Sequence, residues 1–409
     1  FMPQFGRIFL PLIIMTSFDS LMASQLEKTT RYIVVLKKSA TLSGGLTQAL
    51  RGMGSSHLKV IRSTSKLLKT VTIATTQAQI KELRRIHDVA YIVKDGVASI
   101  QSNMRSMSMD SSDHWNLDRL DQTLSGGHDD QIYRYTYTGN GVNAYVVDTG
   151  VSAHPEFGNR LKKGVSFVED EEDDSSDCNG HGTHVAGTLG GQTAGVAKGV
   201  SIHPVRVFDC GGSGRWSAVI AGLEWIRENA IKPAVVNFSL GGIKNQAVND
   251  ALRALVESGV TVVGAAGNRG SDACYHSPAS EPAVITVGNT TYDNTLYASS
   301  SYGKCVDIQA PGSEILAADH WGELTLKTGT SMAAPHVAGA AAILLEALPQ
   351  AKPQTVKNHI LANALRDQLT GLPDDTDNLL LQTAGYNKIR LHSLVLNRVS
   401  LTLKYRLAN

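Results

Sequence analysis

An excess of charge of one sign is missing from this sequence: 38 Lys plus Arg stand against 37 Asp plus Glu, for a net charge of +1. A chain so balanced has no field to draw it to nucleic acid or to an anionic membrane surface, which argues against polyanions as partners. Long apolar runs are also lacking. The strongest near the start, Ile8 to Met15 after Arg7, is too short to span a bilayer. It suits the apolar region of a secretory signal, and Ser20 to Ser24 supply small residues for cleavage, so residues 1–24 are expected to be a signal peptide rather than a buried element. Cysteine is sparse: Cys178, Cys210, Cys274 and Cys305 all fall in the second half. None of their spacings is the short C-x2-4-C pair of zinc ribbons, which argues against a four-cysteine zinc site. An exported chain can oxidise them, and the even count leaves no obligatory free thiol, although counting alone leaves the pairing open. No internal repeat is present, and the one charge run is Glu169 to Asp174.

What is present fills 409 residues at 42% hydrophobic content, enough for two or three folding units. From Arg31 to about Ile100 the pattern is strand, helix, strand, helix, strand, with strands at Tyr32 to Leu36, Val71 to Ile73 and Ala90 to Val93. Thr76 and Gln79 form a capping-box pattern ahead of Ile80, Leu83 and Ile86. This predicts a small α+β unit of the split βαβ, ferredoxin-like type. Gln101 to Asp113, rich in Ser and Met and without periodicity, reads as an exposed linker. Beyond it, Asn143 to Val147, Ile202 to Val207, Ala234 to Phe238, Val260 to Ala265 and Ala283 to Val287 are short Val/Ile-rich runs, as strands covered on both faces should be. Helical patterns intervene at Trp216 to Glu228 and Gln246 to Ser258, the latter with Val248, Ala251, Leu252 and Leu255 on its apolar face. The expected fold is α/β, a mainly parallel sheet with helices on both faces, and its active site should lie beyond the carboxyl ends of the strands.

Three motifs carry chemistry. Tyr145-Val146-Val147-Asp148-Thr149-Gly150 puts a carboxylate at a strand end before a glycine turn. Asp-Thr-Gly also marks aspartic peptidases, but those need two carboxylates sharing a proton, and no second such motif occurs. Asn179-Gly180-His181-Gly182-Thr183-His184-Val185-Ala186-Gly187 places His181 among glycines at a helix start, where the backbone can come close to the imidazole, and histidine is the residue type that general-base work near neutral pH calls for. His181 and His184 as a metal pair would be three apart and would lack the Glu of the H-E-x-x-H zinc motif. Gly329-Thr330-Ser331-Met332-Ala333-Ala334-Pro335-His336 opens a long apolar helix, with Pro335 in its first turn. A nucleophile at Ser331 would face free backbone N–H groups and the positive end of the helix dipole, which stabilise an oxyanion.

In the order Asp, His, Ser these motifs resemble those of the subtilase family of serine peptidases, over nearly all of Trp115 to Tyr386, and within it the proteinase K branch. The resemblance implies a secreted endopeptidase with Asp148, His181 and Ser331 as triad and no catalytic cofactor. It assigns Ala265-Ala266-Gly267-Asn268 to the oxyanion hole, with the Asn268 amide and the Ser331 N–H as donors. Ser239-Leu240-Gly241-Gly242 and Gly212-Ser213-Gly214-Arg215-Trp216 resemble the two edges that pair with an extended substrate, Trp216 walling the pocket for the fourth residue before the cut. Glycines and alanines around the first pocket, Ala266, Gly267 and Gly241 among them, imply room for large apolar or aromatic residues.

The same resemblance divides the chain into a signal peptide (1–24), an inhibitory propeptide with its linker (25–106), a peptidase domain (107–387) and a C-terminal tail (388–409) without a family counterpart. Its expected partners are protein or peptide substrates and its own propeptide, as a monomer without stable membrane insertion. Bridges Cys178–Cys210 and Cys274–Cys305 match aqualysin-like members, whereas Val185 stands where proteinase K carries a cysteine. Pro282, Val284 and Asp307 fall at a structural calcium site of proteinase K, two carbonyls and a carboxylate suiting a hard cation. Asp118, Asp121 and Gln122 resemble a second calcium loop, and Glu169 to Asp174 is either a third ion site or a solvated acidic loop. Asn237-Phe238-Ser239 and Asn289-Thr290-Thr291 are glycosylation sequons, the first in an expected buried strand. The competing functions are a metal-dependent hydrolase built on His181 and His184, and an inactive homologue that only binds; loss of Asp148, His181, Ser331 or Asn268 would favour the second, and all four are present.

Overall fold

The computed structural model describes residues 29–40, 46, 50, 58–101, 103–104, 114–122, 131–169 and 174–388. The expected signal peptide, most of the linker, the middle of the acidic run and the tail beyond 388 lie outside the described residues.

The N-terminal unit is a four-stranded antiparallel sheet in the order Lys59–Thr64, Thr70–Thr75, Thr30–Leu36, Val89–Lys94. Between its last two strands in sequence runs the helix Gln77–Leu83, closed at its start by the expected box: Thr76 Oγ1 accepts from Gln79 N, and the Gln79 side chain reaches back to Thr76 N. The strand Lys59–Thr64 was not foreseen from the pattern, because only Val60 and Ile61 among its residues are apolar. Alternation in Thr30–Leu36 explains how the unit is mounted. Tyr32, Val34 and Leu36 pack with Ile73, Ile80 and Leu83 inside the unit, while Ile33 and Val35 point the other way into a core shared with Val219 and Leu223 of the larger body.

That body is organised on a nine-stranded sheet. Its order is Leu365–Arg366, Leu379–Leu380, Ile308–Pro311, Ile285–Thr290, Thr261–Ala265, Ala234–Phe238, Asn143–Asp148, Ser201–Arg206, Val165–Ser166, and all neighbours are parallel except the first pair. Strand alternation again assigns the two faces. In Asn143–Asp148, Ala144 and Val146 join the core beneath the helices His181–Gly190 and Thr330–Ala347, and Tyr145 and Val147 join the core beneath Trp216–Asn229 and Gln246–Glu257. Both faces are covered, which is why these strands carry so little polarity. No described helix is long and apolar enough to cross a membrane. Both expected disulfides are formed, Cys178–Cys210 and Cys274–Cys305, with Cα separations of 5.1 and 5.3 Å.

The linker expectation needs correction at its start. Gln101 is 8% exposed rather than solvated, and Asn103–Met104 pairs antiparallel with the strand Leu324–Thr328. Composition reports how a segment behaves alone; here edges of the body supply the backbone partners that its own sequence does not.

Candidate active site

The carboxyl ends of the parallel strands converge as the fold class requires. Asp148 is the last residue of its strand, and Ala265, the last of its own, leads through Ala266 and Gly267 to Asn268. Asp148 Oδ1 accepts from His181 Nδ1 at 2.6 Å and from Thr149 N at 2.8 Å, and the Asp148 and His181 side chains are both fully buried. A ring that donates through Nδ1 presents Nε2 as its acceptor, and among the described residues that atom has no hydrogen-bond partner. Ser331 lies in the first turn of Thr330–Ala347. Its Oγ donates to Ser239 O at 2.9 Å rather than to His181, and the Ser239 hydroxyl donates back to Ser331 O at 2.8 Å.

The approach of the His181 helix depends on glycine. Gly180 precedes it at φ +90°, and a Cβ on Gly182 would stand 2.0 Å from Gly150 O, so neither position tolerates a side chain without displacement. Asp177, not singled out from the sequence, anchors this turn. Its carboxylate accepts from Asn179 N at 2.9 Å, Gly180 N at 2.8 Å, Thr183 N at 2.8 Å and Thr183 Oγ1 at 2.6 Å, and from Thr149 Oγ1 at 2.8 Å. Burial pushes the Asp177 carboxyl up, but these hydrogen bonds outweigh it and hold it below the usual carboxylate range. Lys327 was missed as well. Its Nζ donates to Gly180 O at 2.8 Å, and burial lowers its pKa against the pull of Asp177, Asp148 and Asp319. A carboxylate among Ser residues and a lysine in a short strand both read as solvated; only the helix start they grip makes them part of the site.

A segment of the chain itself occupies the cleft. Val97–Ile100 runs antiparallel between two edges, pairing Ala98 with Gly214 and Ser99 with Ser213 on one side, and Ile100 with Leu240 and Ser99 with Gly241 on the other. The Gln101 carbonyl accepts from Asn268 Nδ2 and, at 3.2 Å, from Ser331 N. Its N–H donates to Ser331 Oγ at 3.0 Å. Asn268 is held for this by its other atom, since Oδ1 accepts from Thr330 N and Thr330 Oγ1, each at 2.9 Å. Gly267 N also donates to Thr330 Oγ1, at 3.2 Å, and Ala266 is buried behind it with its N–H on Val287 O at 2.9 Å. Trp216 is buried beside Gly96 and Gly242 in the same core as Ala98, and its N–H donates to Gly96 O at 3.2 Å.

The histidine and metal alternatives resolve differently. His184 Nε2 donates to Ile315 O and Thr325 O, each at 3.0 Å, and burial lowers its pKa well below the ordinary value; it is a packed core group aimed away from any shared ion with His181. His336 is likewise buried, with Nδ1 on Met332 O at 2.7 Å and Nε2 accepting from Asn116 Nδ2 at 2.8 Å, and burial lowers its pKa to about 4.

The calcium site expected at Pro282, Val284 and Asp307 does not fit a metal in this chain. Its three oxygen donors already surround the Lys357 ammonium. In the weaker site Gln122 Nε2 donates to Asp118 Oδ2, and Asp121 Oδ2 accepts from Arg134 N at 2.7 Å; residues 123–130 lie outside the described residues. Among the described residues no cluster of His, Cys, Asp and Glu forms a metal site. At the ends of the acidic run, Glu169 pairs with Arg31 of the N-terminal unit and Asp174 accepts from Ser176 N at 2.8 Å. Asn237 and Asn289 are both fully buried, so the second sequon is as closed to a glycan as the first.

Comparison with known proteins agrees with this geometry. Residues 139–387, more than half of the chain, match the subtilase family. An extracellular serine proteinase of Thermus sp. (strain Rt41A) is 44% identical over 375 residues, covering 86% of this chain and 89% of that one. The subtilisin-like protease 6 of Trichophyton schoenleinii is 40% identical over 342 residues, covering 77% and 83%. The crystal structure of a cold adapted subtilisin-like serine proteinase superposes with a TM-score of 0.64 at 46% identity, covering 66% of this chain and 97% of that one. A family match of that extent, with a relative aligned over nearly its whole length, places this chain in the subtilase family of serine endopeptidases.

Proposed function

We propose that the chain is an exported zymogen whose triad Asp148, His181 and Ser331 makes its first cut in itself, at the bond between Gln101 and Ser102. The observation that carries this is the Gln101 carbonyl: its oxygen accepts from Asn268 Nδ2 and Ser331 N, while Ser331 Oγ already touches the N–H of the same residue. For reaction the Ser331 hydroxyl turns from Ser239 O toward His181 Nε2. The proton passes to Nε2 as Oγ bonds the Gln101 carbonyl carbon, and Asp148 holds the resulting imidazolium. Negative charge on the carbonyl oxygen falls between the two donors. The C–N bond then breaks, Nε2 returns its proton to the Ser102 amine, and water, deprotonated by His181, releases the acyl group from Ser331. His181 then returns the proton taken from water to Ser331 Oγ, so that apart from that one water every step uses groups of this chain.

Selectivity follows from strand addition. Backbone pairing along Val97–Ile100 supplies much of the affinity and is indifferent to side chains. A Cβ on Gly241 would come 3.6 Å from the Gln101 side chain, so backbone rather than a side chain bounds the first pocket there, which supports reading it as a pocket for large apolar or aromatic residues. Gln101 satisfies the polar groups there, its Nε2 donating to Ser99 O at 3.0 Å and its Oε1 accepting from Asn268 N at 3.3 Å. We therefore assign broad specificity with a preference for large apolar residues before the cut, Trp216 bounding the pocket of the fourth residue, here Ala98. Export rests on the signal-like segment 1–24 and on relatives named as extracellular.

The test is the full chain carrying Ser331→Ala, refolded free of other peptidases. It should remain intact while the parent yields a new amino terminus at Ser102. Release of the same fragment at the parent rate would remove Ser331 as nucleophile, and a first cut elsewhere would remove Gln101.

A further inference from the structure

Pro282 and Val284 turn their carbonyls toward one point beside the strand Ile285–Thr290, and Asp307, just before Ile308–Pro311, adds its carboxylate. Two carbonyls and a carboxylate converging from neighbouring segments are the donor set of a hard cation. The helix Pro353–Asn363 sends Lys357 into that point. Its Nζ lies 3.0 Å from Pro282 O, 3.0 Å from Val284 O and 2.8 Å from Asp307 Oδ2. An ammonium has three N–H donors and all are used. The distances are those of N–H···O bonds, longer than the ~2.3–2.6 Å of calcium to oxygen. Asp307 also accepts from Thr286 N at 2.8 Å. Burial pushes its carboxyl up while Lys357 pulls it down, and Asp377 is the other acidic group acting on it, so the carboxylate depends on a positive neighbour.

We infer that Lys357 is a tethered cation that takes the place of a structural metal at this corner, and that its removal uncovers a latent calcium site. A divalent ion among the same oxygens would meet the ammonium at contact distance, so the two are mutually exclusive. Unlike an ion, the tethered charge is neither diluted nor chelated away, so its contribution does not follow the free-ligand dependence of a bound metal.

The experiment uses the full chain with Ser331→Ala to prevent self-digestion, and compares melting temperature in chelator and in millimolar calcium. Lys357→Met should melt about 3–6 °C below its parent in chelator and recover most of that loss in calcium. Adding Asp307→Asn to Lys357→Met should abolish the recovery. Asp307→Asn alone, with Lys357 in place, should leave the parent's own calcium response and its terbium stoichiometry unchanged. The inference is overturned if Lys357→Met gains no more from calcium than its parent. It is equally overturned if Asp307→Asn alone removes a calcium response or one equivalent of terbium. This last comparison stands even if Lys357→Met does not fold.

Discussion

The N-terminal unit and the catalytic body are held together internally in one way and to each other in another. Inside the body, apolar cores lie on both faces of a parallel sheet and two disulfides close its loops. Across the boundary, Ile33, Val35 and Ala98 enter the body's apolar core with Leu67, Leu68, Tyr91, Val93 and Ile100 packed against it, and polar groups add a second kind of contact. Asp95 accepts from Ser217 N at 2.9 Å and Ser217 Oγ at 2.8 Å, at the first turn of Trp216–Asn229. Glu224 on the same helix accepts from Ser65 N at 2.9 Å and Lys66 N at 3.1 Å. Tyr91 donates to Asp250, and Asn245 Nδ2 donates to Lys94 O at 3.2 Å. Each of these groups can exchange its partner for water, whereas buried apolar contacts and disulfides cannot. Under the proposed self-cleavage, these exchangeable contacts are the ones that let the N-terminal unit leave after the cut between Gln101 and Ser102.

That contrast makes separate predictions for the two sides. Asn268→Ala should lower kcat on peptide amides about 10²–10³-fold with little change in KM, a size measured on subtilisin, a member of this same family, rather than derived from this geometry. The body's stability should fall by only about 1–3 kcal/mol, the cost of the two Thr330 hydrogen bonds that Asn268 Oδ1 accepts. Steady-state kinetics and a denaturant curve on one preparation check both halves.

Replacing either cysteine pair by serine should act on stability instead. Cys178–Cys210 and Cys274–Cys305 span 32 and 31 residues, and a loop of that size is worth about 3.7 kcal/mol in the chain-entropy model. Equilibrium unfolding of the mature body would show it. A loss under ~0.5 kcal/mol would mean that the native state carries strain which the entropy term only offsets.

The smallest effect belongs to the boundary. Asp95 is 3% exposed, and removing a buried carboxylate that accepts two hydrogen bonds costs about 1.5–3 kcal/mol. Asp95→Ala in the released N-terminal unit, added back to mature enzyme, should therefore inhibit roughly 10–100-fold more weakly. Cleavage of peptides by the body alone would not change. If inhibition is unaltered, the edge strands and not the cap at Ser217 hold the unit in place.

Asp148, His181 and Ser331, the residues proposed for catalysis, stand out in the sequence because each sits in a run of residues with a local reason to be there: a strand end before a glycine turn, a helix start that must admit a close backbone, a serine opening an apolar helix. Strand identity was legible for the same kind of reason, since Val146 and Val147 must both be covered and a parallel sheet between helices is the fold that covers both. The second sequon was not, because Asn289 reads as polar and surface-seeking until its strand is found inside the sheet. Gln101 hides in a segment whose composition is that of a linker.

Local pattern thus settles which elements form and which faces are apolar, and it nominates the side chains proposed for catalysis, because those depend on neighbours a few positions away in the chain. Partnership across the fold depends on distance in space. Lys357 is 50 residues from Asp307 and 73 from Val284, and on its own helix it reads as a solvated charge. Folding brings three oxygens to its ammonium, and a place where the family resemblance implies calcium is filled from within the chain.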